Sequence, residues 1–177
     1  MSNDNNGRYS QYKHEEVSIS LNIGTIKERV YSYVSNVASR VANDEEGFDK
    51  SSLNLDNDSF IFGDGLFGLI SQSDASLISR LSVYEVYCDI VGDQVLIKID
   101  NCPMVRPRDG WINTLTKYLY NFYCTSLISQ WFEMIGLQDK FSSYSTDGVD
   151  ESLEKVRSHI DSAYLKPNRI KFHTLGF

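Results

Sequence analysis

The sequence predicts a mainly α, α+β protein: a small helical bundle of about four helices with one β-hairpin and with extended N- and C-terminal arms. Two observations predict the bundle. Apolar residues recur at helical spacing in four separate stretches, and in the longest stretch they occupy two adjacent rows. A third observation predicts the hairpin, because two runs of strand-forming residues flank the pair Gly92 and Asp93, which suits a two-residue turn.

Length and composition limit the class of protein. A chain of 177 residues fits one domain. Hydrophobic residues make up 41% and charged residues 23%, near globular averages, and no run approaches the roughly 18 uninterrupted apolar residues of a membrane span. The net charge of −7 argues against sequence-independent binding of a DNA backbone, which needs many Lys and Arg contacts. We therefore expect a soluble, folded domain with no membrane association.

The chain opens with a polar segment and a first helix. Residues 1–16 are rich in Asn and Ser and lack periodicity, so we expect a flexible N-terminal arm. The helical domain is predicted over residues 17–165. Thr25 and Glu28 have the spacing of a capping box, and apolar residues at helical spacing predict a helix over about 25–43: Ile26, Val30, Tyr33, Val34, Val37 and Val41.

A second helical region is predicted over about 58–82. It contains three residues that each cost a helix about 1 kcal/mol relative to Ala: Gly63, Gly65 and Gly68. We expect a break near 71–73, with Ser73 or Asp74 capping the second half.

The hairpin is predicted over 84–99, and its turn determines its register. Gly92 at the first central position allows a type II′ turn, which places Val91 opposite Gln94. The apolar face then has the pairs Ile90 with Val95, Cys88 with Ile97, and Val86 with Ile99. A two-stranded ribbon with one apolar face is not stable alone, so it must pack against the helices or another chain.

The longest helix is predicted over about 109–136, with Asp109 as its cap and Gly136 at its end. One apolar row holds Leu115, Leu119, Tyr123, Leu127, Trp131 and Ile135, and the next holds Tyr120, Cys124, Ile128 and Phe132. The opposite row is polar and is expected to face solvent: Asn113, Lys117, Asn121, Thr125, Ser129 and Glu133. A last helix over about 148–165 ends before Pro167.

No pattern points to catalysis, a cofactor or a metal. The three histidines lack the spacing of ligands or of a nucleophile's base, which favours surface or interface positions: His14, His159 and His173. Asp56, Asn57 and Asp58 resemble the start of a calcium loop, but Ile61 stands where that loop needs glycine. Gly63–Gly65 lacks the Lys-Ser/Thr pair of a phosphate loop. We expect no enzyme activity, no catalytic residue and no cofactor.

The final segment, residues 166–177, is apolar and basic and follows a complete helical domain. Residues 155–177 contain five basic residues and one acidic residue, whereas the preceding chain contains twelve basic and twenty-three acidic residues. Such a segment is typical of one that binds a partner, and an intramolecular strand is the alternative. The candidate partner-docking residues are Lys166, Arg169, Ile170, Lys171, Phe172, Leu175 and Phe177.

The order of these parts resembles that of head-to-tail connector proteins (neck or adaptor ring proteins) of tailed bacteriophages, of the kind found in phages of Bacteroides-type bacteria. The resemblance covers about residues 25–177. It is carried by the helix KERVYSYVSNVASRV, the hairpin, the helix WINTLTKYLYNFYCTSLISQWFEMIG, the helix ESLEKVRSHID and the basic tail.

The resemblance implies a structural virion protein of the neck or tail region, assembled in the cytoplasm of a bacterial host. It would form a homo-oligomeric ring, commonly of twelve copies, that docks to the portal protein and leads to the next neck or tail protein. DNA would pass through the lumen without specific binding.

Two other functions remain open from the sequence. A tail-completion or tail-terminator protein is expected to be built mainly from sheet. A small acidic regulatory or immunity-type binding protein is expected to be a monomer or dimer whose C-terminal segment folds onto its own domain.

Overall fold

The computed structural model describes residues 15–44, 64–102, 109–134 and 146–163. In chain order they form β1 (Glu15–Asn22), α1 (Ile23–Asp44), α2 (Asp64–Arg80), a short 3₁₀ helix (Ser82–Tyr84), β2 (Val86–Val91), β3 (Gln94–Cys102), α3 (Asp109–Met134) and α4 (Thr146–Ser162). The predicted fold class, a mainly helical protein with four helices and a hairpin, is confirmed. In these four ranges, no helix is both long and apolar enough to span a membrane.

The predicted hairpin and its register are confirmed. β2 and β3 pair antiparallel, with Val91 opposite Gln94, Ile90 opposite Val95, Cys88 opposite Ile97 and Val86 opposite Ile99. Gly92 has φ +62°, as the first central residue of a type II′ turn requires. The turn therefore determines which side chains share a face.

Two glycine substitutions are expected to change stability in opposite directions. A Cβ at Gly92 meets no atom within 4 Å, so Gly92→Ala costs only the strain of a positive φ, about 1 kcal/mol. A Cβ at Gly68 also meets open space, but Gly68 lies inside α2, where Ala is favoured over Gly by up to about 1 kcal/mol. Urea unfolding should show a lower midpoint for Gly92→Ala and a higher one for Gly68→Ala. Equal shifts in one direction would contradict the assigned turn.

A third strand, β1, was not predicted. It pairs antiparallel with the other side of β3, so the sheet order is β1-β3-β2. Val17, Ile19 and Leu21 are buried and the intervening Ser18 and Ser20 are exposed, which is the alternation of a half-buried strand. The first two residues of β1 fall in the predicted N-terminal arm, and residues 1–14 lie outside the described ranges.

The first helix begins earlier than predicted and has a different cap. α1 starts at Ile23 directly after β1, and the Oδ1 atom of Asn22 accepts a hydrogen bond from the backbone N–H of Thr25 at 2.8 Å. This geometry makes Asn22 the N-cap and places Thr25 inside the first turn. The predicted capping box of Thr25 and Glu28 is therefore wrong.

The predicted break in the second helix is also wrong. α2 is continuous from Asp64 to Arg80, and residues 58–63 lie outside the described ranges. Ser71 Oγ donates to the carbonyl of Phe67 at 2.8 Å and Ser73 Oγ to that of Leu69 at 3.0 Å, so neither serine caps a new helix. Ser73 Oγ also lies 2.8 Å from Ser126 Oγ in α3, and this tertiary contact supports the helix where local signals favoured a break.

α3 is the central helix, because α1, α2, α4 and β1 all contact it. Its predicted apolar rows are buried or half-buried at the described positions, and Asn113, Lys117, Asn121 and Glu133 are exposed as predicted. Thr125 and Ser129 are buried, contrary to prediction. Thr125 lies beside α1 residues, so packing of a neighbouring helix, which periodicity cannot show, buries part of the polar row.

Candidate interaction surface

The three-stranded sheet has one buried face and one exposed face. On the inner face Val86, Val95 and Ile97 are at most 4% exposed. On the outer face Tyr87 is 55% exposed and Val91 is 53% exposed. Leu96 is also exposed on that face. The outer face therefore presents large apolar side chains among polar ones.

The hairpin turn determines which backbone groups of β2 point away from β3. In a two-residue hairpin the residues flanking the turn, Val91 and Gln94, exchange backbone hydrogen bonds, and pairs alternate from there. The N–H and C=O groups of Val86, Cys88 and Ile90 therefore point away from β3. In agreement, the N–H of Ile90 donates to Asp89 Oδ1 at 2.9 Å. Among the described strands, none pairs with this edge.

The edge of β1 is partly covered by α3. The backbone N–H and C=O groups of Ser18, Ser20 and Asn22 point away from β3, because the residues between them are the ones that bond to β3. The N–H of Asn22 donates to the hydroxyl of Tyr120 at 2.8 Å, and Arg29 lies 5.0 Å from the centroid of that tyrosine ring. The β2 edge is therefore the more open of the two.

The inner side of the β2 edge is incompletely covered. Cys88 and Ile90 are only half-buried, whereas their partners Ile97 and Val95 are at most 1% exposed. On α2, Ile78 is 38% exposed and lies one helical turn after Asp74. An apolar strip thus remains accessible beside the strand.

The β2 edge is also acidic. Asp89 is exposed on β2, and Glu85 is exposed just before the strand begins. Lys98, on the neighbouring strand, is held 3.0 Å from Glu16 Oε2 and 2.9 Å from Asp100 Oδ1. Its charge is therefore paired with carboxylates of β1 and β3, and the β2 edge favours a basic ligand.

A buried polar cluster lies beneath β2. The hydroxyl of Tyr123 in α3 donates to Asp74 Oδ1 in α2, and Cys88 Sγ lies 3.9 Å from the same hydroxyl. Burial raises the pKa of the Cys88 thiol to about 12, so the nucleophilic thiolate is not formed at neutral pH. Burial likewise raises the pKa of Tyr123. The cluster joins α2, α3 and the sheet, and neither its thiol nor its phenol is ionised at neutral pH.

Asp74 is expected to make stability depend on pH. Burial raises its pKa above the ordinary 3.8, the hydrogen bond from Tyr123 opposes this, and the charge of Asp89 adds to it. The folded state therefore keeps the proton to a higher pH than the unfolded chain, so stability falls as pH rises through the interval above 3.8 and returns as pH falls. Asp74→Asn, which is neutral and keeps an oxygen for Tyr123, should be more stable than the natural protein at pH 7, with the difference shrinking toward pH 4.

Urea unfolding at several pH values measures this difference. Tyr123→Phe removes the hydroxyl that stabilises the carboxylate, so its stability should fall more steeply with rising pH. A difference between Asp74→Asn and the natural protein that stays constant with pH would contradict the burial effect.

A second cluster joins the start of α3 to α4. The His159 ring stacks on Trp111 with centroids 5.0 Å apart, and its Nε2 lies 3.0 Å from the Trp111 carbonyl oxygen. Trp111 Nε1 donates back to the carbonyl of His159 at 3.2 Å. An open cleft of about 430 Å³ lies alongside, and at its rim Lys155 Nζ is 2.8 Å from Glu151 Oε1. His159 is half-buried, and its contacts are those of a packing residue.

The other predicted positions lie outside the described ranges. They include His14, His173, the segment 56–58 and every candidate docking residue: Lys166, Arg169, Ile170, Lys171, Phe172, Leu175 and Phe177. The described residues do show where α4 ends. The Tyr84 hydroxyl donates to Asp161 Oδ1, so the end of α4 lies beside the residues that precede β2. In the described ranges no three His, Cys, Asp or Glu residues are grouped to hold a metal ion.

Sequence reasoning identified the pairs of the hairpin but missed which edge is open. That edge is defined only once β1 occupies the far side of β3. Alternation over residues 17–21 is the signal that predicts β1. No family model, curated protein or solved structure matches the chain.

Proposed function

We propose that the protein is a structural virion component that assembles with copies of itself into the ring of a phage head-to-tail connector. The observation that supports self-assembly most directly is the open, acidic β2 edge in a chain that also carries a basic and apolar segment at 166–177. Edge strands are normally blunted or covered, because unpaired backbone groups bind other strands. An edge left open beside exposed apolar side chains is typical of an interface.

The charge distribution supports a ring in particular. The acidic edge and the basic segment belong to different parts of the chain, and complementary parts of this kind can join copies head to tail. Head-to-tail contacts close into rings when the rotation between copies divides a full turn. Residues 1–154 have more acidic than basic residues, and an acidic lumen would not retain a passing DNA duplex.

The phage assignment rests on the resemblance in element order, with which the four helices and the hairpin agree. The mainly helical fold favours a connector over a tail-completion or tail-terminator protein, for which a sheet-based fold is expected. In this proposal the ring docks on the portal protein and leads to the next neck or tail protein, and the protein acts without a cofactor and is not an enzyme.

Native mass spectrometry and electron microscopy of the full chain test the proposal, alone and mixed with a portal protein. We expect a closed ring that forms a defined complex with the portal. A monomer or dimer under both conditions would contradict the proposal and would favour the small acidic regulatory or immunity-type binding protein.

A further inference from the structure

We propose that the open edge of β2 binds residues 169–174 of a second copy of the chain, which add to the sheet as an antiparallel strand. This inference rests on the proposed ring, since it requires copies to associate. It specifies which surface of one subunit contacts which segment of the next.

The backbone of β2 supplies the pairing groups. Val86, Cys88 and Ile90 direct their N–H and C=O groups outward, and Ile90 holds its own N–H in a local bond with Asp89 at 2.9 Å. An added strand would bond the remaining groups, and in such complexes backbone bonds provide affinity while alternate side chains provide specificity.

The side-chain pattern of the segment matches the edge. In an extended strand Ile170 and Phe172 point to one face, and Arg169 and Lys171 to the other. On the inner face the apolar pair would cover Cys88 and Ile90, which are half-buried, together with the exposed Ile78 of α2.

The outer face of the edge provides the charge complement. There Asp89 and Tyr87 are exposed, and Glu85 lies at the start of the strand. Arg169 and Lys171 would lie against these carboxylates and the tyrosine ring, and cations pair favourably with both. The chain outside residues 155–177 has an excess of acidic residues, so this segment is also what offsets repulsion between copies.

A second copy fits the edge better than the chain's own segment does. The contact between Asp161 and Tyr84 places the end of α4 beside the residues that precede β2. From there the chain's own segment would enter the edge running parallel to β2, and parallel pairing is the less stable arrangement. A segment from another copy can enter antiparallel, as the rest of the sheet pairs.

Disulfide trapping between separately made variants tests the inference. Asp89→Cys protein is mixed with Arg169→Cys or with Lys171→Cys protein, oxidised mildly, and analysed on a non-reducing denaturing gel. We expect a cross-linked heterodimer at least tenfold more abundant than in the matched control with Ser20→Cys, an exposed position on the opposite strand β1. The natural protein mixed with Arg169→Cys or with Lys171→Cys protein measures cross-linking through the natural cysteines Cys88, Cys102 and Cys124.

A charge swap provides a second readout. Asp89→Lys and Lys171→Glu should each reduce assembly severalfold, and the two changes in one chain should restore it. The inference is overturned if cross-linking to β1 and to β2 is equal, or if the charge swap does not restore assembly. It is also overturned if the Asp89→Cys, Lys171→Cys double variant gives an intramolecular product while the mixtures give no cross-linked dimer.

Native mass spectra of the same samples separate this inference from the proposed function. A ring of the natural protein without selective trapping would overturn the strand contact and leave the ring proposal standing. A natural protein that stays monomeric would contradict both.

Discussion

Ile97→Asp is expected to leave almost no folded protein at neutral pH. Ile97 lies in the central strand β3, between Ile19 and Cys88 of the neighbouring strands, and is 1% exposed. An aspartate there would be an unpaired charge in an apolar environment, a change that costs more than about 4 kcal/mol. The whole stability of a domain is about 5–15 kcal/mol. Circular dichroism and the yield of soluble protein measure the loss.

Lys98→Gln is the matched control for Ile97→Asp. Lys98 is the next residue of β3 and its side chain is on the outer face, where its ion pairs are solvent-exposed. Exposed ion pairs contribute little to stability, so we expect unfolding close to that of the natural protein. Comparable loss of folded protein in both variants would contradict burial of a single face of the sheet.

Trp131→Ala is expected to lower the free energy of unfolding by about 3–5 kcal/mol. Trp131 is 5% exposed near the end of α3, and its ring lies 4.9 Å from that of Phe132. Removing the indole leaves a cavity that neighbouring core side chains cannot fully close. Urea unfolding followed by circular dichroism measures the change.

Asn121→Ala is the control on the same helix. Asn121 is exposed, and alanine favours helix formation, so we expect almost no change in stability. If Trp131→Ala unfolds like the natural protein but no longer assembles, the aromatic row is a contact between subunits and its assignment to the core is wrong.

Much of the fold was predictable because its signals are local. The pair Gly92 and Asp93 determines the register of β2 against β3, since a two-residue turn leaves one pairing. Four-residue apolar rows likewise predict α3 and the burial of its large side chains. The continuity of α2 was not predictable in this way, because Ser73 acts through Ser126, 53 residues away in the chain.

The two parts of the candidate site also differ in whether the sequence or the structure identified them. The docking residues of 166–177 come from the sequence and stay a prediction, since they lie outside the described ranges. The acidic edge that we propose for the segment comes from the structure. His159, which the sequence assigns to a surface or interface, packs half-buried against Trp111, because α4 lies along the start of α3.

By itself the sequence determined α3, the hairpin register and the separation of acidic and basic charge, since each depends on residues that are close in the chain. Only the tertiary structure decided that β1 joins β3, that Thr125 is buried beside α1, and that no described strand pairs with the outer edge of β2. These features depend on contacts between distant segments, such as Ser20 of β1 with Gln94 of β3, 74 residues apart. Alternation and helical periodicity show which face of an element is apolar, but they do not show which other element packs against that face.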